Sequence, residues 1–97
     1  MEDEKALYEK KAEAKLKEIG AKIDELRAKS EQAQANLQID LKQRIDKLAS
    51  DRQRLKTSLD QLKKSGQDAF GDLKAGMELA LTDLRTAIDS AFQRIRK

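Results

Sequence analysis

Three groups of residues have types and spacings suited to chemistry. Asp24-Glu25 is an adjacent carboxylate pair, the raw material of general acid–base catalysis. Glu2-Asp3-Glu4 is an acidic triplet of the kind that binds a cation weakly. Arg44, Lys47, Arg52, Arg54, Lys56, Lys63 and Lys64 form a basic stretch of the kind that meets phosphate. Each has a plainer reading. A catalytic carboxylate needs burial to shift its pKa, and Asp24-Glu25 lies on a helix face among Lys and Arg. Acidic residues at a helix start complement the positive end of its dipole. The basic side chains spread around a helix, with Asp46, Asp51 and Asp60 between them and no aromatic residue for base stacking.

The missing residue types exclude more. With no His and no Cys in 97 residues, Ser-His-Asp and Cys-His catalysis, disulfides and the usual zinc ligands are ruled out. Gly66, Gly71 and Gly76 are five apart with no strand before them, so they are not a phosphate-binding loop. The expectation is a protein that is not an enzyme, with no cofactor, no metal and no small-molecule substrate.

The elements that carry these residues are helical. Charged residues make up 40 % of the chain and aromatic ones 3 %, Pro and Val are absent, and Leu, Ala, Lys, Glu, Arg and Gln dominate. Such a composition favours coiled coils and long helices over sheets. Leu16, Ile19, Ile23, Leu26, Ser30, Ala33 and Leu37 advance by alternate steps of three and four, the heptad pattern. Leu37, Leu41 and Ile45 then take two steps of four before Leu48, a stutter that lengthens the local period. Acid-before-base pairs four apart, such as Glu13–Lys17 and Asp40–Arg44, each add ~0.3 kcal/mol to a helix.

A longer repeat overlies the heptads. Leu26, Leu37, Leu48, Leu59, Phe70, Leu81 and Phe92 are eleven apart, and Leu62, Leu73, Leu84 and Ile95 form a second such line. A basic line runs through Arg52, Lys63, Lys74, Arg85 and Arg96. Eleven residues make three whole turns at 3.67 residues per turn, which keeps one stripe facing a partner.

Stop and start signals coincide once. Lys63-Lys64 suits a helix C-terminus, Gly66 suits a C-cap, and Ser65-Gly66-Gln67-Asp68 fits a capping box. The eleven-residue lines cross this point without slipping, which argues for continuity; one unbroken helix would be about 145 Å long. The reading adopted is a first helix over about 3–64 and a second over about 67–96, within one domain spanning 1–97. Gly20, Gly71 and Gly76 lie isolated in helical pattern, either as tolerated cost or to let helices approach closely.

Charge is uneven along the chain. Residues 1–41 have net charge −2, residues 42–64 have +5 and residues 65–97 have 0, for a total of +3. The acidic start does not resemble a secretory signal and no apolar run is long enough to span a membrane, so a cytoplasmic protein is expected.

Ser65-Gly66-Gln67-Asp68-Ala69-Phe70-Gly71-Asp72-Leu73-Lys74-Ala75-Gly76-Met77 and Leu81-Thr82-Asp83-Leu84-Arg85-Thr86-Ala87-Ile88-Asp89-Ser90-Ala91-Phe92 resemble a group of small bacterial and cyanobacterial coiled-coil proteins. That group shows a Lys/Glu/Ala-rich helix, a Ser-Gly step, an aromatic residue and two Asp-Leu-basic units. The resemblance implies a loose association with stress responses and carries over no site. The eleven-residue repeat is also similar to those of apolipoproteins and late-embryogenesis-abundant proteins.

The fold expected is all-α, a long coiled-coil helix and a second amphipathic helix packed antiparallel in a bundle. The function expected is non-catalytic self-association into a homo-oligomer through apolar stripes. The interface residues would be Leu26, Leu37, Leu48, Leu59, Phe70, Leu73, Met77, Leu81, Leu84, Ile88, Phe92 and Ile95. A membrane surface is the alternative partner, reached through the amphipathic face of 67–97. Nucleic acid, reached through the basic 42–64 segment, is the weaker alternative.

Overall fold

A computed structural model describes residues 4–96 of the chain. They form three helices of similar length: α1 (Glu4–Glu31), α2 (Ala35–Lys64) and α3 (Gln67–Arg96). Each helix packs on both of the others, giving a rod of 52 × 20 × 17 Å.

The expected first helix over 3–64 is therefore two helices, and the bundle has three members rather than two. Asp3 lies outside the described residues. The break at 32–34 contains neither Gly nor Pro. It falls where the apolar stripe is weakest: from Arg27 to Asn36 there is no large apolar side chain. A 62-residue helix of about 93 Å would leave its Leu stripe in water. Folding back buries Leu26 and Leu41 completely instead.

Local hydrogen bonds close the turn. Gln32 N–H donates to Lys29 O (3.1 Å) and Ala33 N–H to Ser30 O (3.0 Å), the tight i→i+3 pattern of a helix end. Gln34 is extended (φ −63°, ψ 153°) and makes no side-chain cap to α2. Gln38 reaches back from α2, donating from Nε2 to Glu31 O (3.0 Å) and Ala33 O (2.7 Å).

The second break lies at 65–66, inside the expected interval, but its chemistry differs from the expectation. Gly66 has no positive φ, so it is not a left-handed C-cap. Ser65 is the cap, its N–H donating to Leu62 O at 3.1 Å and its hydroxyl to the same oxygen at 2.7 Å. Because α3 begins at Gln67, the residue before it is Gly66. The S-x-x-D spacing is thus one residue out of register for a capping box. Asp68 still lies in the first turn, where its charge favours the helix.

The core is one cluster running the length of the rod. α1 contributes Tyr8, Ala12, Leu16, Ile19, Ile23 and Leu26; α2 contributes Leu41, Ile45, Leu48, Leu55, Leu59 and Leu62; α3 contributes Phe70, Met77, Leu81, Leu84, Ile88 and Ala91. Within each helix these positions advance by threes and fours, with one step of seven from Leu48 to Leu55 and another from Phe70 to Met77. Leu26, Leu41, Leu62 and Ile88 are the largest fully buried side chains, and each Leu or Ile contributes roughly 1.5–3 kcal/mol on burial.

The eleven-residue line lands on this core. Leu26, Leu48, Leu59, Phe70 and Leu81 are buried, while Leu37 and Phe92 pack against the cluster partly buried. The line crosses both turns, from Leu26 to Leu37 and from Leu59 to Phe70. Its unbroken phase is therefore compatible with a chain broken by two turns.

Candidate interaction surfaces

All twelve expected interface residues lie in or against the core of the single chain. Leu26, Leu48, Leu59, Phe70, Met77, Leu81, Leu84 and Ile88 are buried; Leu37, Leu73, Phe92 and Ile95 are partly so. The structure does bring them together, but within one chain. Among the described residues, the large apolar side chains left outside are Leu7, Ile39 and Leu79, which are 52 %, 64 % and 69 % exposed.

Polar side chains tie the helices together at four levels. At the first, Lys5 of α1 donates to the C-terminal carbonyls of α2, reaching Lys63 O (3.0 Å) and Ser65 O (2.7 Å). A cation there meets the negative end of the α2 dipole. Lys63 pairs in turn with Glu13, and the hydrogen bond with that carboxylate raises the Lys63 pKa.

The second level is an aromatic and charged cluster between α1 and α3. Tyr8 and Phe70 meet edge to face, with centroids 6.1 Å apart and planes at 71°. Lys74 Nζ stands over both rings, at 5.4 Å and 5.9 Å, and pairs with Glu4 at 3.3 Å. The Tyr8 phenol oxygen is buried and has no hydrogen-bond partner. Burial first, and the nearby Glu78 carboxylate second, push the Tyr8 pKa up to about 12. This orphaned oxygen costs free energy in the folded state.

At the third level an arginine occupies an apolar position. Arg52 falls four residues after Leu48 and three before Leu55, on the inward lattice of α2. Its Nε donates to Leu16 O of α1 at 2.9 Å. The guanidinium lies over Gly20, where an added Cβ would be 3.0 Å from Cζ, Nε and Nη2. Gly20 thus leaves the space that the arginine head occupies.

The fourth level is near the 32–34 turn. Asp40 accepts from Arg44 Nε (3.0 Å) on its own helix and from Arg94 Nε (2.9 Å) on α3. The Arg44 hydrogen bond, then the charges of Arg44 and Arg94, hold its carboxyl below the usual range.

These contacts redistribute the basic stretch. Lys42 pairs with Asp46 (2.9 Å), Lys47 with Asp51 (3.0 Å), Arg44 with Asp40, and Lys63 with Glu13, while Arg52 points into the α1 interface. Arg54, Lys56 and Lys64 are the members that make no ion pair with a described residue. The apolar stripe of α3 that would meet a lipid surface faces inward, so lipid contact through it requires the bundle to open.

The carboxylate candidates also have simple partners. Asp24 pairs with Arg27 at 3.5 Å on an exposed face. Glu4 pairs with Lys74, and Glu2 and Asp3 lie outside the described residues. Among the described residues no group of three acidic, His or Cys side chains could hold a metal ion, and no helix is long and apolar enough to cross a membrane.

Shallow grooves run between the helices. One of about 380 Å³ lies between α1 and α2 beside Ile39, and one of about 370 Å³ lies between α2 and α3. The second is lined by Leu55 and Leu84 with the small residues Ser58, Ala80 and Ala87, and Lys47, Asp51, Arg54 and Asp83 stand at its edges. No protein-family model, curated protein or solved structure compared with the chain matches it.

Proposed function

We infer that the chain is a non-catalytic helical interaction protein that works by associating with other chains, a second copy first. The bundle is read as a short coiled coil running up, down and up. Lys5 meeting 63 and 65, Arg52 meeting Leu16, and Gln38 meeting Glu31 support antiparallel packing of α1 and α2. Arg94 meeting Asp40 supports the same for α2 and α3.

One observation carries the reading: the contrast between inner stripes and outer faces. The stripes close on one another inside one chain, while Leu7, Ile39 and Leu79 remain outside on three different helices. Association therefore runs between whole bundles, through their outer faces, rather than through the stripe residues expected from sequence. A stress-related setting is what the family resemblance implies.

Sedimentation equilibrium over a wide concentration range tests this. The expected result is a concentration-dependent mass above that of one chain, with helicity unchanged. A monomer throughout the range would refute self-association.

A further inference from the structure

We propose that two copies of this chain pair across the groove between α2 and α3, each Leu79 filling the other's groove. This rests on the self-association reading and names its surface.

Four observations converge on the face. Leu79 is the most exposed large apolar residue among the described residues, at 69 %. It stands one helical turn before Asp83, which lines the groove, and next to Ala80, which also lines it, so it lies just outside the groove's mouth. The groove is lined by the small side chains of Ser58, Ala80 and Ala87 and has a volume of about 370 Å³, room for a Leu side chain. The molecule thus carries a knob and a hole side by side, the arrangement a two-fold axis requires.

Charge supplies the third argument. The α2 edge carries Arg54 and the α3 edge carries Asp83, and neither makes an ion pair or hydrogen bond with a described residue. Two copies related by a two-fold axis place Arg54 of each against Asp83 of the other. An acidic or basic foreign partner would satisfy only one of the two edges; a second copy satisfies both.

The α3 backbone is also accessible on this face. An added Cβ at Gly76 would meet no atom of the chain within 4 Å, so nothing inside the bundle requires glycine there. In an antiparallel α3 pair centred near Asp83, Leu79 falls opposite Ala87 of the second copy. Gly76 then falls opposite Ser90 of that copy. Small residues facing each other let the two helices approach closely. The two Asp83 carboxylates near the axis are each offset by an Arg54.

The test is sedimentation equilibrium on the full chain and on three variants, with circular dichroism to confirm that each folds. Leu79→Asp should weaken the dimer roughly tenfold or more while leaving helicity unaltered, since the side chain is exposed. Arg54→Asp should weaken it as well, and Arg54→Asp combined with Asp83→Arg should recover most of the loss. A dimer indifferent to Leu79→Asp, or a charge swap that recovers nothing, overturns this face and leaves self-association standing. A monomer at every concentration overturns both.

Discussion

The guanidinium of Arg52 on α2 lies in the space left by the missing side chain of Gly20 on α1, with its Nε bonded to Leu16 O at 2.9 Å. An arginine thereby occupies a core-lattice position without leaving its donors in an apolar wall. The two residues are 32 positions apart in sequence, and each explains the other. Gly20 costs its helix about 1 kcal/mol relative to Ala, and the Arg52 contact is what that cost permits.

A double-mutant cycle measures the coupling. Gly20→Ala alone should change stability little, because the helix gain is offset by displacement of the Arg52 head group. In an Arg52→Ala background the same change should stabilise by the full ~1 kcal/mol. Denaturant unfolding of the four proteins reads the difference, and additivity within about 0.3 kcal/mol would show the pair uncoupled.

The core lattice predicts unequal costs along a single eleven-residue line. Leu26→Ala removes a side chain with 0 % exposure and should cost ~2–5 kcal/mol. Leu37→Ala, on the same line but partly buried beside the 32–34 turn, should cost clearly less. Urea midpoints compare them directly; equal losses would mean that the line, rather than burial, sets the energetics.

Much of this architecture was legible in the sequence. Heptad steps through Ile19, Ile23 and Leu26, and the eleven-residue lines through Leu48, Leu59, Leu62 and Leu81, fall on buried positions; Leu55, equally buried, lies on neither pattern. Lys63-Lys64-Ser65-Gly66 marked the second turn. The first turn was missed because its signal is an absence, ten residues without a large apolar side chain, rather than a helix breaker. The Gln38 cap that closes it comes from the following helix, a geometry that exists only once the turn has formed. The apolar stripes were visible, but whether they meet within one chain or between chains depends on that turn. Arg52 was visible as a basic residue eleven before Lys63; its position between Leu48 and Leu55 would have placed it on the inward face.

The open N-cap of α2 offers a stabilising change. Gln34 precedes the helix without a side-chain cap, and no acidic residue stands in its first turn. Gln34→Asp should supply both a capping oxygen and a charge suited to the helix dipole, raising stability by about 1 kcal/mol. Thermal melts at neutral pH check this, and an unchanged midpoint would show that the turn cannot adopt the capping geometry.

Tyr8 gives an alkaline signature. Its pKa rises from 10.0 to about 12 in the folded chain. Its contribution to stability is therefore complete below pH 10 and is lost as pH climbs towards 12, because the unfolded chain ionises first. The loss should approach ~2 kcal/mol. Tyr8→Phe should abolish that loss and be neutral or slightly stabilising at pH 7, since it removes an oxygen with no partner. Stability measured against pH for both proteins distinguishes them; an identical alkaline fall would assign it to the lysines.

The odd number of helices has a mechanical consequence. Glu4 sits beside Lys74 near the start of α3, whereas Ile95 lies against Gln32, Ala33 and Gln34 at the first turn. The two ends of the described chain thus leave from opposite poles of a rod 52 Å long. Tension applied through them pulls α1 and α3 along the rod axis, loading the whole packed seam in shear at once. A bundle with an even count would bring both ends to one pole, where the same pull would peel its helices apart in succession.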